Sequence, residues 1–313
     1  MRRLLHLAAL PFAILAACGS SGSSSSSGPG THVAGNATDP SKGDAEAGVA
    51  VDPDAGADAP ASPKVDVSVE TETVFGNTRS FVLAKPRGYD PNKSYPLVLA
   101  FHGDGGDGPS MRAFFPFDAV SEDQAFVAYP SGKDAAWDLV TPSGTNEDIQ
   151  FIATLVSDLT GRLPIDTSRI FAAGFSRGAF FVNQLACRAS IPLRAIASHS
   201  GGAPFEPPEN HPLSYPSGYV KCSANESSVA TLVFHGDSDT TVLPNSGDFD
   251  ATYWAYVNGC QDTRVSTTPA PCQKYDGCPV DKQVMFCLIP GLSHFVWADA
   301  IKTSWEFFKS QSQ

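Results

Sequence analysis

The apolar run Ile170-Phe171-Ala172-Ala173-Gly174-Phe175 passes without a spacer into Ser176-Arg177-Gly178 and a helical pattern that continues to Ala189. A run with no polar residue predicts a strand buried on both faces, which requires a sheet with helices packed above and below it. Similar runs predict strands at Val65–Glu70, Arg79–Ala84, Leu97–His102, Phe126–Tyr129, Ala195–His199, Thr231–His235 and Val284–Ile289. Between them, Glu147–Leu163 places Ile149, Ile152, Val156, Leu159 and Leu163 three or four residues apart, which gives a helix with one apolar face. Asn146 is its candidate cap, and Glu147 and Asp148 suit the positive end of its dipole. Further helices are predicted at Asp248–Val257 and Ala298–Lys309. Two hairpin-like strands followed by strand-helix alternation imply an α/β fold with a mostly parallel, doubly wound sheet of about eight strands. No internal repeat or second change of composition divides residues 64–313, so one domain is expected there.

The N-terminal part is of another kind. Arg2 and Arg3 precede an apolar stretch from Leu4 to Leu15 that is short for a bilayer span, and small residues follow it. This is the pattern of an export signal. Leu15-Ala16-Ala17-Cys18 also resembles the lipobox of bacterial lipoproteins, which implies cleavage after residue 17, a lipid on Cys18 and a membrane-surface location. Residues 18–63 are Ser, Gly, Ala, Asp and Pro with almost no large apolar side chain. They bury too little to offset their ordering entropy and read as a tether. The net charge of −12, without a basic cluster, argues against a nucleic-acid partner. Nothing in the chain asks for an oligomer, and a monomer is expected. With Cys18 set aside, Cys187, Cys222, Cys260, Cys272, Cys278 and Cys287 form an even set that suits disulfides in an oxidising compartment, with fifteen possible pairings. A zinc site is disfavoured because no Cys-x-x-Cys or His-x-x-x-His pair is present.

Gly174-Phe175-Ser176-Arg177-Gly178 is weak evidence as a bare motif. Its position at a strand-to-helix turn is informative, because the glycines permit a tight backbone that lifts the serine hydroxyl clear of the sheet. A serine hydroxyl needs an adjacent base, itself oriented by a third group. Asp239 follows the strand Thr231–His235, and His294 follows the strand Val284–Ile289, so both are expected at strand ends near Ser176. Asp237 and Asp239 also have the ordinary reading of turn residues. The backbone N–H groups of Arg177 and Asp104 are the candidate oxyanion donors, with Gly105 as the alternative in the glycine-rich loop His102–Gly108. That loop lacks the ligand spacing of a calcium site. No metal or cofactor is called for. Trp137, Phe295 and Trp297, with Phe114, Phe115 and Phe117, are candidates for a substrate-facing wall, although aromatics at such positions often pack in the core.

Several segments together carry a family resemblance. Leu97 to Gly103, Tyr129-Pro130-Ser131-Gly132 with Trp137, Glu147 to Ile152, Arg169 to Gly178 and Asn258-Gly259-Cys260 resemble the secreted polyhydroxybutyrate depolymerases, feruloyl esterases and acetylxylan esterases. The likeness extends over nearly all of 63–313. It implies the α/β-hydrolase fold, a single catalytic domain and carboxylic ester hydrolysis, with Ser176, His294 and Asp239 in the triad positions. It also implies disulfides among Cys260, Cys272, Cys278 and Cys287, with Cys187 and Cys222 as a further candidate bridge. Two departures lie near the expected pocket. Many members have a small or amide residue where Arg177 stands, and many have tryptophan two residues after the histidine, where Val296 stands. The absence of a separate binding module puts soluble plant-wall esters or small acyl esters ahead of solid polyester. A non-catalytic surface binding protein and a serine peptidase on the same fold are the other classes compatible with the motif.

Overall fold

The computed structural model describes residues 64–223 and 228–311; the predicted signal sequence and the whole tether, Cys18 included, lie outside the described residues. The chain runs β1 (Val65–Val74), β2 (Asn77–Pro86), β3 (Tyr95–Phe101), α1 (Gly108–Phe114), α2 (Phe117–Ser121), β4 (Phe126–Pro130), α3 (Glu147–Arg162), β5 (Ile165–Phe175) and α4 (Arg177–Cys187). It continues through β6 (Ala195–His199), β7 (Leu213–Ser214), β8 (Val220–Lys221), β9 (Ala230–Gly236), α5 (Pro244–Val257), β10 (Arg264–Ser266), β11 (Cys272–Tyr275), β12 (Val284–Ile289) and α6 (Ala300–Ser310).

The main sheet has the order β1-β2-β4-β3-β5-β6-β9-β12-β11-β10. Its six central strands are parallel, and an antiparallel pair closes each edge. Every residue of β3, β4 and β9 is buried, which explains why these strands are apolar without alternation. Leu97, Leu99 and Phe101 of β3 enter one core layer with Ile152 of α3, Phe181 of α4 and Trp254 of α5. Val98 and Ala100 enter the opposite layer with Met111, Phe117, Trp305 and Phe308. Helices therefore cover both faces, as the continuous strands require.

The sheet has ten strands where about eight were expected. The additional pair, β10 and β11, is short and largely polar, so it carries no periodicity to read. Covalent links hold this edge in place: Cys272 faces Cys287 in the β11–β12 register and is bonded to it, and Cys260 is bonded to Cys278. Cys187 is bonded to Cys222. Helices α1 and α2 were not anticipated either, because Pro109 and Pro116 break that stretch into pieces too short for a clear pattern. Phe115 and Phe117, considered above for the substrate wall, are wholly buried under the sheet. Asn146 caps α3 by accepting from the Ile149 N–H at 3.0 Å.

Candidate active site

Parallel strands place their C-terminal ends along one edge of the sheet, where ligand sites of open α/β folds collect. Ser176 stands there between β5 and α4, with φ 54° and ψ −122°. A non-glycine residue with positive φ costs about 1–3 kcal/mol and persists only where its surroundings fix it. Its N–H donates to the His199 carbonyl at 2.9 Å. The flanking glycines are sterically obligatory. A Cβ on Gly174 would lie 2.3 Å from the Gly178 carbonyl oxygen, and one on Gly178 would lie 2.3 Å from that of Phe101.

Asp239 and His294 come from the turns beyond β9 and β12. His294 Nδ1 lies 2.7 Å from Asp239 Oδ2, and His294 Nε2 lies 2.9 Å from Ser176 Oγ. With the carboxylate accepting from Nδ1–H, the Nε2 lone pair is left for the serine hydroxyl. Asp239 is almost wholly buried, and its Oδ1 accepts from the N–H groups of Thr241 (2.9 Å) and Val242 (3.0 Å). Burial alone would raise its pKa, but the hydrogen bonds from His294, Val242 and Thr241 outweigh it and hold the carboxyl below its ordinary value. The three residues read from the sequence thus form one hydrogen-bonded chain.

The loop after β3 comes up against this chain. A Cβ on Gly103 would lie 3.2 Å from that of Ser176, so the loop backbone passes close to the nucleophile. The Gly105 N–H donates to the Ala135 carbonyl at 2.8 Å, so the alternative donor of this loop is already occupied. The Arg177 N–H belongs to the first turn of α4, where no acceptor exists within the helix. His102 organises the loop from beneath. Its Nε2 accepts from the Gly132 N–H at 2.9 Å, so Nδ1 carries the proton and donates to the Gly103 carbonyl at 2.7 Å. Burial pushes its pKa down, favouring the neutral ring that this pattern needs. The Arg177 guanidinium lies across the rim: Nε–H donates to the Trp137 carbonyl at 2.7 Å and lies 3.4 Å from Asp104 Oδ1.

The predicted wall residues separate. Phe295 stands exposed beside His294, its ring 5.3 Å from Phe114, which in turn meets Phe175 at 5.1 Å. A cavity of about 260 Å³ adjoins this group, lined by His102, Met111, Phe114 and Phe175. Trp137 requires correction. Its indole is wholly buried, stacked on Phe181, and its Nε1–H donates to the His102 carbonyl at 2.9 Å. It holds the loop that carries Asp104. Trp297 is also turned inward, with its ring packed on Phe234.

Three features escaped sequence reading. His199 ends the buried strand β6 and His235 stands one residue before the end of β9, beside the triad, and His235 Nε2 lies 2.8 Å from the Val242 carbonyl and 3.4 Å from Asp239 Oδ2. A polar residue closing an apolar strand on the edge that carries Ser176 was the available signal. The third is Asp148, read as a helix-dipole acid but buried as the partner of Arg79, where it also accepts from the Asp138 N–H at 2.8 Å. Among the described residues, no group of three His, Cys, Asp or Glu side chains is placed to hold a metal ion.

No family model matches the chain. Feruloyl esterase C of Emericella nidulans is 29% identical over 196 residues, which cover 60% of this chain and 65% of that relative, just under two thirds of its length. Feruloyl esterase D of Neurospora crassa is 25% identical over 262 residues, covering 76% of this chain and 84% of the relative. Among solved structures, the acetyl xylan esterase from Aspergillus awamori superposes with a TM-score of 0.62 at 20% identity, covering 78% of this chain and 99% of that one. The feruloyl esterase module of Clostridium thermocellum complexed with sinapinate gives 0.57 at 14% identity, covering 80% and 89%. The chain is therefore a relative of proteins named feruloyl esterases, and its fold is that of the α/β-hydrolases.

Proposed function

We propose that this relative of the feruloyl esterases is an exported serine esterase that cleaves carboxylic esters of the feruloyl or acetylxylan type. The observation that carries the reading is the Ser176–His294–Asp239 chain, with hydrogen bonds of 2.9 and 2.7 Å. Ser176 Oγ attacks the ester carbonyl carbon as His294 Nε2 takes its proton. Asp239 orients the imidazole and stabilises its positive form. The Arg177 and Asp104 N–H groups stabilise the oxyanion of the tetrahedral intermediate. The intermediate collapses when His294 returns the proton to the departing alcohol. Water, deprotonated by the same histidine, then releases the acid from the acyl-serine. The exposed Phe295 with Phe114 and Phe175 suits an aromatic or small acyl group, in keeping with the names of the relatives.

Residues 1–17 act as a lipoprotein-type signal, Cys18 carries the lipid, and residues 18–63 tether the catalytic domain, 64–313, to a bacterial cell envelope. Three disulfides support folding in an oxidising compartment.

A fluorophosphonate probe, which requires an activated serine, should label the wild-type protein and not Ser176→Ala. The same pair, assayed on methyl ferulate, acetylated xylan, short p-nitrophenyl esters and a polyhydroxybutyrate suspension, should show hydrolysis of the first three by the wild type only. Hydrolysis by a folded Ser176→Ala protein would overturn the mechanism, and preference for the polyester suspension would overturn the substrate class.

A further inference from the structure

The geometry points to His199 as a positioning residue that locks the nucleophile turn and the histidine turn into one register. This inference rests on the esterase reading and deepens it.

His199 ends β6, whose neighbours are β5, leading to Ser176, and β9, leading to Asp239. Its backbone carbonyl accepts the Ser176 N–H at 2.9 Å, holding the residue at positive φ in place. Its imidazole reaches the third strand end: Nε2 accepts the Trp297 N–H at 3.0 Å, on the turn that carries His294. One residue therefore bonds both to the nucleophile and to the turn that carries its base, through different atoms.

The histidine turn has need of such an anchor. On its N-terminal side the Leu292 carbonyl accepts from Ser238 N–H at 3.1 Å, while Ser293, Phe295, Ala298 and Asp299 are exposed. Beyond His294, the Trp297 amide on His199 and the Trp297 ring on Phe234 fasten the turn down. Without the amide contact, only apolar packing would hold the turn beyond His294, and a shift of about 1 Å at a reacting atom can cost on the order of a hundredfold in rate.

An acceptor role requires a neutral ring with a lone pair at Nε2. Nδ1 faces Ser200 Oγ at 3.3 Å, and the ring is wholly buried between Phe175 and Phe234, with centroids 5.9 and 5.3 Å away. The titratable groups around it are His235, His294 and Asp239. Burial, reinforced by the two histidines and opposed by Asp239, lowers its pKa to about 3, so the lone pair persists through any ordinary working pH.

Three variants test the idea. His199→Phe keeps a ring between Phe175 and Phe234 and removes the acceptor. His199→Gln carries an acceptor near the Nε2 position, and His199→Asn carries one near Nδ1. The expected result is a kcat reduced about ten- to a hundredfold in His199→Phe with KM within about twofold, a parallel fall in fluorophosphonate labelling rate, and recovery of most of the loss in His199→Gln but not in His199→Asn. Wild-type kcat in folded His199→Phe, or equal kcat in the Gln and Asn variants, would overturn the inference. The Gln and Asn comparison decides the matter if His199→Phe does not fold. Amide exchange of Trp297, faster in His199→Phe or His199→Asn than in wild type, reads the anchor without any catalysis; unchanged exchange also overturns it. A wild-type protein inert to the probe would sink the esterase reading instead, leaving the exchange result to judge His199.

Discussion

Residues 174–178 and residues 102–107 face each other across the site, and they are held by different means. The nucleophile turn is written into five consecutive residues: two glycines that admit no Cβ, a serine at positive φ and the start of a helix. The facing loop has three glycines of its own, yet its shape depends on hydrogen bonds to residues elsewhere in the chain. His102 joins it to Gly132, Trp137 donates to its first carbonyl, and Arg177 ties its rim to the 137 backbone. A short motif can encode a turn when sterics within that motif decide the geometry. It cannot encode a loop whose hydrogen-bond partners lie thirty or more residues away.

The sharpest way to break this contrast is to add one methyl group to each side. Gly178→Ala would place a Cβ 2.3 Å from the Phe101 carbonyl, and destabilisation above about 4 kcal/mol, or failure to accumulate folded protein, is expected. Gly105→Ala meets nothing within 4 Å and carries only the cost of φ +78°, about 1–3 kcal/mol. Denaturant melts of the two variants would compare them directly, and equal losses would erase the distinction.

The nucleophile side has a remote dependence of its own, through the helix that follows Ser176. Asn183 of α4 donates to Asp250 of α5 at 2.9 Å, and Asp250 is wholly buried. Burial raises its pKa to about 7, against the hydrogen bonds from Ser198, Asn183 and Trp254 that oppose the rise. The folded state then holds a proton that the unfolded chain releases near pH 4, so this contribution is complete below that pH and is lost as pH rises through about 7. Wild-type stability relative to Asp250→Asn should fall by about 1.4 kcal/mol per pH unit across that window. Melting both proteins from pH 4 to 8 measures the difference, in which the histidine contributions cancel; parallel curves would refute it.

Trp137→Phe keeps an aromatic ring on Phe181 but leaves the His102 carbonyl without its indole donor. The expected cost is about 1–2 kcal/mol of stability and roughly tenfold in kcat, measured by thermal melts and ester hydrolysis. Arg177→Ala should have the smallest effect. Its partner Asp104 is exposed, and such pairs are worth about 0–1 kcal/mol, so turnover of a small ester should change by less than about threefold. A larger loss would mean that the rim, and not only the buried His102 and Trp137, holds the facing loop.

The eight long strands and four main helices were legible because each is a run with its own apolar pattern. Strands β10 and β11 were not, since three or four polar residues at a sheet edge owe their conformation to a neighbouring strand and a disulfide. The aromatics divide in the same way. Residue type marked Phe295, Trp297 and Trp137 equally, yet only the packing separates the exposed Phe295 from the two indoles turned inward.

For this protein, the order of residues alone determined the doubly wound sheet, the tight turn at Ser176 and the strand ends on which Asp239 and His294 fall. Those features follow from hydrophobic periodicity and from local steric limits, which act between near neighbours in the chain. Tertiary structure alone decided that the Gly105 N–H is occupied, that Trp137 supports the loop, and that His199 bonds both to Ser176 and to the turn that carries His294. These are hydrogen bonds between residues far apart in sequence, so no local pattern records them.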